Sequence, residues 1–173
     1  MATTYDLIAS QTLGSAAASI TFSSIAASWT DLRLVLMAIG ATDGMDLDTR
    51  LNGDSGTNYS ETNLLGYNTT VQSTYQISAT QIRSTLGSSP GVYTIPHLYT
   101  FDFFSYASSN YKTMLLTNSE AQDGTTQVLG GVSRIVGLWR STSAITSIST
   151  GPTSGTGNFA AGTTAQLYGI KAA

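Results

Sequence analysis

Short apolar and hydroxyl-rich segments, alternating with period two and broken by Gly, Asn, Asp and Ser, recur along almost the whole chain, while helical periodicity is nearly missing. A period of two puts successive side chains on opposite faces of a strand, so the chain reads as all-β. Residues 19–23 place Ile20 and Phe22 on one face, and residues 31–39 place Leu32, Leu34, Leu36 and Ala38 on one face. The other face of 31–39 carries Val35, Met37 and Ile39, which predicts a central strand covered on both sides. Residues 45–51 set Met45, Leu47, Thr49 and Leu51 against Asp46, Asp48 and Arg50. Asn52-Gly53-Asp54-Ser55-Gly56 then reads as a tight turn, with 58–66 as the returning hairpin partner and Tyr59, Thr62, Leu64 and Leu65 as its contacts.

Further strands are expected over residues 5–13, 71–77, 81–86, 98–106, 111–118, 127–140, 144–148 and 164–171. The 98–106 segment is strongly aromatic, with Tyr99, Phe101 and Phe103 on one face and Leu98, Thr100, Asp102, Phe104 and Tyr106 on the other. Turns are expected at Ser108-Ser109-Asn110, at Gln122-Asp123-Gly124 and around Ser88-Ser89-Pro90-Gly91, and a flexible loop over 151–157. Gly130-Gly131 and Gly137 predict bulges or bends. The expected fold is one domain over residues 1–173, an antiparallel β-sandwich of jelly-roll type, with Trp139 and Phe101 in its core. No fixed-period repeat points to a solenoid or propeller. At this length a chain buries roughly 70% of its unfolded surface and holds a core without staples.

Composition narrows function mainly by exclusion. The chain has no cysteine, so disulfides and thiolate metal sites are ruled out. Charged residues are 10%, against about 25% in ordinary domains, and the net charge is −3. Seven Lys and Arg, placed singly, form no stripe for nucleic acid. No segment reaches the ~18 apolar residues of a membrane helix, and the start lacks the pattern of a secretory signal. The surface left is neutral and hydroxyl-rich, suited to close packing within an assembly.

Catalytic parts are few. His97 is the lone histidine, and no Gly-x-Ser-x-Gly elbow accompanies it. It reads as a histidine in a loop or at a strand end. Asp46 and Asp48 could turn two oxygens toward an ion or sugar, or form an ordinary solvent face. Asp43, Asp46, Asp48, Asn52 and Asp54 are the densest oxygen cluster, open to calcium or to plain turn chemistry. Trp29, Tyr5, Tyr67, Tyr75 and Tyr99 could stack on sugars or fill a core or interface. Gly130-Gly131 lacks the Lys-Ser/Thr of a phosphate loop. No catalytic, cofactor-binding or metal-binding residue is assigned, and the chain is expected to be non-enzymatic.

Several blocks in order carry a resemblance. They are Leu7-Ile8-Ala9-Ser10-Gln11-Thr12-Leu13-Gly14-Ser15, Ile20-Thr21-Phe22-Ser23-Ser24-Ile25, Thr30-Asp31-Leu32-Arg33-Leu34-Val35 and Arg50-Leu51-Asn52-Gly53-Asp54-Ser55-Gly56-Thr57-Asn58-Tyr59-Ser60. Gly137-Leu138-Trp139-Arg140-Ser141-Thr142-Ser143-Ala144-Ile145, Asn158-Phe159-Ala160-Ala161-Gly162-Thr163 and Leu167-Tyr168-Gly169-Ile170-Lys171-Ala172 follow. These blocks resemble small virion structural proteins of tailed bacteriophages, known both as standalone proteins and as tail-associated modules. The stretch from about residue 66 to 110 carries little of the pattern.

The resemblance implies a virion role, with assembly in the host cytoplasm, and transfers no binding residues. The leading expectation is a capsid decoration or cement protein that contacts the major capsid protein as a homo-oligomer, a trimer being the preferred form. The alternatives are a tail-fibre or receptor-binding module contacting host surface glycans or tail proteins, and a secreted carbohydrate-binding module outside any phage. No heptads support a fibre stalk.

Overall fold

The computed structural model describes residues 4–40, 46–67, 69–84, 96–119, 131–153 and 157–171. Twelve strands form among them, and no helix. They are β1 (Tyr5–Thr12), β2 (Ile20–Phe22), β3 (Asp31–Ala38), β4 (Leu47–Leu51), β5 (Tyr59–Tyr67) and β6 (Thr70–Ala79), then β7 (Ile82–Ser84), β8 (His97–Phe104), β9 (Lys112–Ser119), β10 (Gly131–Trp139), β11 (Ile148–Pro152) and β12 (Thr164–Ile170).

The strands make two antiparallel sheets, of order β1-β12-β3-β8-β9-β10-β5-β6 and β2-β11-β4-β7. Alternation decides what lies between them. Leu32, Leu34 and Leu36 of β3 meet Phe103, Phe101 and Tyr99 of β8 in register, and all six are fully buried. Leu47, Leu51, Ile82, Ile20, Phe22 and Ile148 face them from the smaller sheet. The expected sandwich is therefore present. A jelly roll divides eight strands between two sheets, whereas eight and four strands pair here, so the finer jelly-roll expectation is not carried over.

Several local expectations give way to tertiary context. The 52–56 turn forms, with Asn52 and Gly53 at φ values of 53° and 67°, but it does not close a hairpin. β4 pairs with β11 and β7, whereas β5 pairs with β10 and β6, so the turn is a corner between sheets. Asn52 holds that corner. Its Oδ1 accepts from the backbone N–H groups of Thr146 (2.8 Å) and Ser147 (3.0 Å), and its Nδ2 donates to the Ala144 carbonyl at 2.8 Å. On β5 the buried positions are Tyr59, Glu61, Asn63 and Leu65; Thr62 and Leu64 point outward. β3 is central but covered on one side only, since Val35 is half-buried and Met37 is 37% exposed. Tyr106 is buried, not outward, because Ser105 takes a φ of 47° and breaks the alternation.

Gly137 makes no bulge: β10 runs in unbroken register with both neighbours. A Cβ there would lie 2.9 Å from Ile82 Cδ1, so this glycine lets the two sheets approach. Gly131 is a regular strand residue, and Gly151 and Pro152 end β11 rather than opening a loop. The expected turns at 88–91 and 122–124, together with Asp43, Met45 and Gly130, lie outside the described residues.

Candidate interaction surfaces

The eight-stranded sheet presents a broad outer face. One row runs across it in register: Leu7, Tyr168, Arg33, Asp102, Leu115, Val136, Thr62 and Tyr75. Leu98, Phe104, Val132, Leu64 and Val71 stand exposed beside it. Eight strands about 4.8 Å apart and eight residues long span roughly 900 Å². Contiguous apolar surface beyond a few hundred Å² marks a contact site on a soluble protein.

The central charges on this face neutralise one another. Arg33 Nε donates to Asp102 Oδ1 at 2.6 Å, and the guanidinium lies 5.7 Å from the centroid of the Tyr5 ring. The hydrogen bond to Asp102 raises the Arg33 pKa above its ordinary value against the opposing effect of burial. Tyr5 in turn meets Tyr168 edge-to-face at 6.1 Å. Near the far edge, Tyr75, Ile77, Val136 and Leu138 line a depression of about 380 Å³.

The outer face of the smaller sheet is different in kind. A groove of about 420 Å³ there is lined by Asp48, Arg50, Gln81, Arg83 and Ser149. Arg83 grips Asp48 through two nitrogens, at 2.8 and 3.3 Å. Arg50 donates to the Gln81 side-chain carbonyl and to the Thr80 carbonyl. Beneath this face, Glu61 reaches from β5 toward β7 and accepts from the backbone N–H of Arg83 at 2.5 Å. Burial pushes the Glu61 carboxyl up to about 7, while the Arg83 N–H and guanidinium pull the other way.

The residues singled out by sequence scatter rather than converge. Asp48 is held by Arg83. Asp54 accepts from Trp139 Nε1 (2.7 Å), Asn58 Nδ2 (2.9 Å) and the Gly56 N–H (2.8 Å). Those bonds, the Trp139 one foremost, hold its pKa below the ordinary carboxylate value. No group of three metal-ligating residues forms among the described residues. Since Asp48, Asn52 and Asp54 already serve the fold, calcium chelation is expected to leave the melting temperature unchanged. A drop of several degrees in EGTA would show an ion held by the acidic corner.

His97 opens β8 with its side chain fully buried, opposite Ala38. Tyr99 is also core. Trp29 lies flat on the backbone of β12, where a Cβ at Gly169 would come within 2.4 Å of its ring. Of the aromatic candidates, Tyr5 and Tyr75 are exposed and Tyr67 is half-buried.

Sequence reading missed Glu61 and Lys112. Lys112 is 1% exposed, and its Nζ donates to the carbonyls of Ser108 (2.7 Å) and Asn110, tying down the turn before β9. Burial lowers its pKa. Their places in the alternation, opposite Thr62 and Leu64 and in phase with Met114 and Leu116, were the available signal.

No protein-family model and no curated protein sequence matches the chain. Among solved structures it is similar to the CBM2 module of the evolved Dit of Lactobacillus casei BL23 phage J-1, at 10% identity over 90% of this chain and 69% of that one. The TM-score is 0.18, a likeness that bears on neither fold nor function.

Proposed function

We propose that the protein is a non-enzymatic structural component of a tailed-phage virion, and that it decorates the head by packing its eight-stranded sheet against neighbouring virion proteins. The observation that carries this reading is the outer face of that sheet. At roughly 900 Å² it matches the ~800 Å² that each partner contributes to a standard protein interface. Apolar side chains stand across it, Arg33 and Asp102 are already paired, and Arg134, which donates to the Thr117 hydroxyl at 3.1 Å, is a charge on this face for a partner to meet. The ordered sequence blocks that resemble phage virion proteins support the setting. Association of like chains, and contact with the major capsid protein, belong to the same proposal.

The polar groove on the smaller sheet favours a second reading, a receptor-binding module. Side-chain donors and acceptors from Asp48, Arg50, Gln81, Arg83 and Ser149 could engage sugar hydroxyls. Imaging particles that carry a labelled copy of the protein separates the two. Label distributed over the head shell is the expected result; label confined to the tail tip overturns the decoration reading. A glycan array should likewise be blank, and saturable binding to a defined sugar would favour the receptor-binding role.

A further inference from the structure

We infer that β6 is a seam at which two copies of this chain join edge to edge, extending the eight-stranded sheet across a two-fold axis. Among the described residues β6 ends its sheet, and from Thr70 to Ser78 every residue is exposed, with Val71, Tyr75 and Ile77 at 75%, 73% and 74%. The smaller sheet stops short of it, because β7 lies against β5 and β10. One side of its backbone therefore offers a row of donors and acceptors to any strand that arrives.

Natural sheets blunt such edges, and the other edges of this molecule are blunted. β1 carries a register break between Leu7 and Ala9, and Asp6 with Lys171 3.6 Å away. β2 and β7, which end the smaller sheet, have three residues each. Among the described residues β6 alone is a long edge with no charge and no proline; its pairing with β5 is regular from Thr70 to Gln76 and shifts only between Gln76 and Ala79, where Ser78 takes a φ of 57°.

Its sequence fits a second copy of itself. With the axis at Thr74, antiparallel pairing sets Val71 against the partner's Ile77, Gln72 against the partner's Gln76 and Ser73 against the partner's Tyr75. In that register Val71 meets Ile77 and Ser73 meets Tyr75 on the outer face, and amide meets amide on the other, pairs of the kind that stabilise neighbouring strands. Each copy is acidic overall, yet no charge lies along the seam to oppose its twin. The nine residues from Thr70 to Ser78 cover only about 27 Å of edge, well below a standard interface. Free chains therefore pair weakly, and the seam fills when copies are already held side by side. Being two-fold, it connects copies in pairs rather than building a trimer.

This deepens the part of the proposed function in which like chains associate, and it is testable without a particle. The protein has no cysteine, so single cysteines report cleanly. Directly opposed residues on antiparallel strands lie within disulfide range, which places T74C against its twin. In the same register T70C lies about 27 Å from its own copy. Under mild oxidation of the full chain, T74C should form covalent dimers about tenfold faster than T70C, and adding V71K and I77K should abolish the difference. All these positions are exposed, and circular dichroism checks that each variant keeps its β signal. Equal rates for T74C and T70C, or a T74C rate untouched by V71K/I77K, overturn the seam. Neither result bears on where the label sits on the particle, so the virion reading stands or falls separately.

Discussion

Replacing Trp139 by alanine should lower the unfolding free energy by about 3–5 kcal/mol, as large-to-small changes at buried aromatics do. Trp139 is 3% exposed at the end of β10 and stacks on Tyr59, with ring centroids 6.3 Å apart and planes 18° from parallel. Its indole N–H donates to Asp54, the residue that also organises the corner between β4 and β5. Alanine therefore removes a core side chain and a charge-assisted bond together. Trp139→Phe separates the two: it keeps most of the packing and should cost about 1.5–3 kcal/mol, the worth of a hydrogen bond to a charged group. Denaturant melts read both numbers. If the phenylalanine variant is as stable as the parent, the bond to Asp54 contributes nothing and the corner is held by packing alone. Phe101→Ala supplies the comparison within the sheet. Phe101 is fully buried and lies parallel to Phe103 at 6.3 Å, and with no polar partner in play its loss should fall in the same range.

Glu61→Gln should make the protein more stable above neutral pH. Burial raises the Glu61 carboxyl from 4.5 to about 7, with Asp48 and Asp46 adding to the shift and Arg83 opposing it. The folded state thus holds this proton more firmly than the unfolded chain. Stability from this group is highest below pH ~4.5, falls as pH rises to about 7 and is flat above, by on the order of 3 kcal/mol in all. Glutamine carries no charge at any pH and keeps an oxygen for the Arg83 N–H. The variant should then match the parent near pH 4.5 and exceed it by about 1–3 kcal/mol at pH 8. Asp54, whose pKa is depressed, acts in the opposite sense: its contribution is present above about pH 4 and lost below, equally in both proteins. The difference between parent and variant therefore isolates Glu61. A variant less stable than the parent at pH 8 would mean that the ionised carboxylate is well solvated or well paired between the sheets.

Where a strand is half-buried, as over Leu32–Ala38 and Leu98–Phe104, alternation grouped correctly the side chains that share a face. Where the chain changes sheet, the same rule misled. Asn52-Gly53 looks alike whether it closes a hairpin or turns a corner, because turn chemistry is set by local φ values and the pairing partner is not. Apolar residues on both sides of β3 suggested double cover, yet one side is the open face. A period of two cannot distinguish a face buried within the chain from one left for a partner.

The surfaces were legible only in fragments. Each exposed residue of the row from Leu7 to Tyr75 is unremarkable alone. The row exists because seven pairings, four of them between strands that are not consecutive in the chain, bring eight strands into register. Glu61 and Lys112 escaped notice since a charged residue in an alternating segment reads as outward-facing, and only the packed structure puts them inside.

The all-β class and the aromatic core were determined by the sequence itself, because side-chain alternation and turn-forming residues act over a few residues. The division into eight and four strands, the bare apolar face and the unguarded edge of β6 were decided only by the tertiary structure. Those depend on contacts between residues far apart in the chain, such as Leu47 with Pro152 or Tyr5 with Ile170, whose pairing no local pattern encodes.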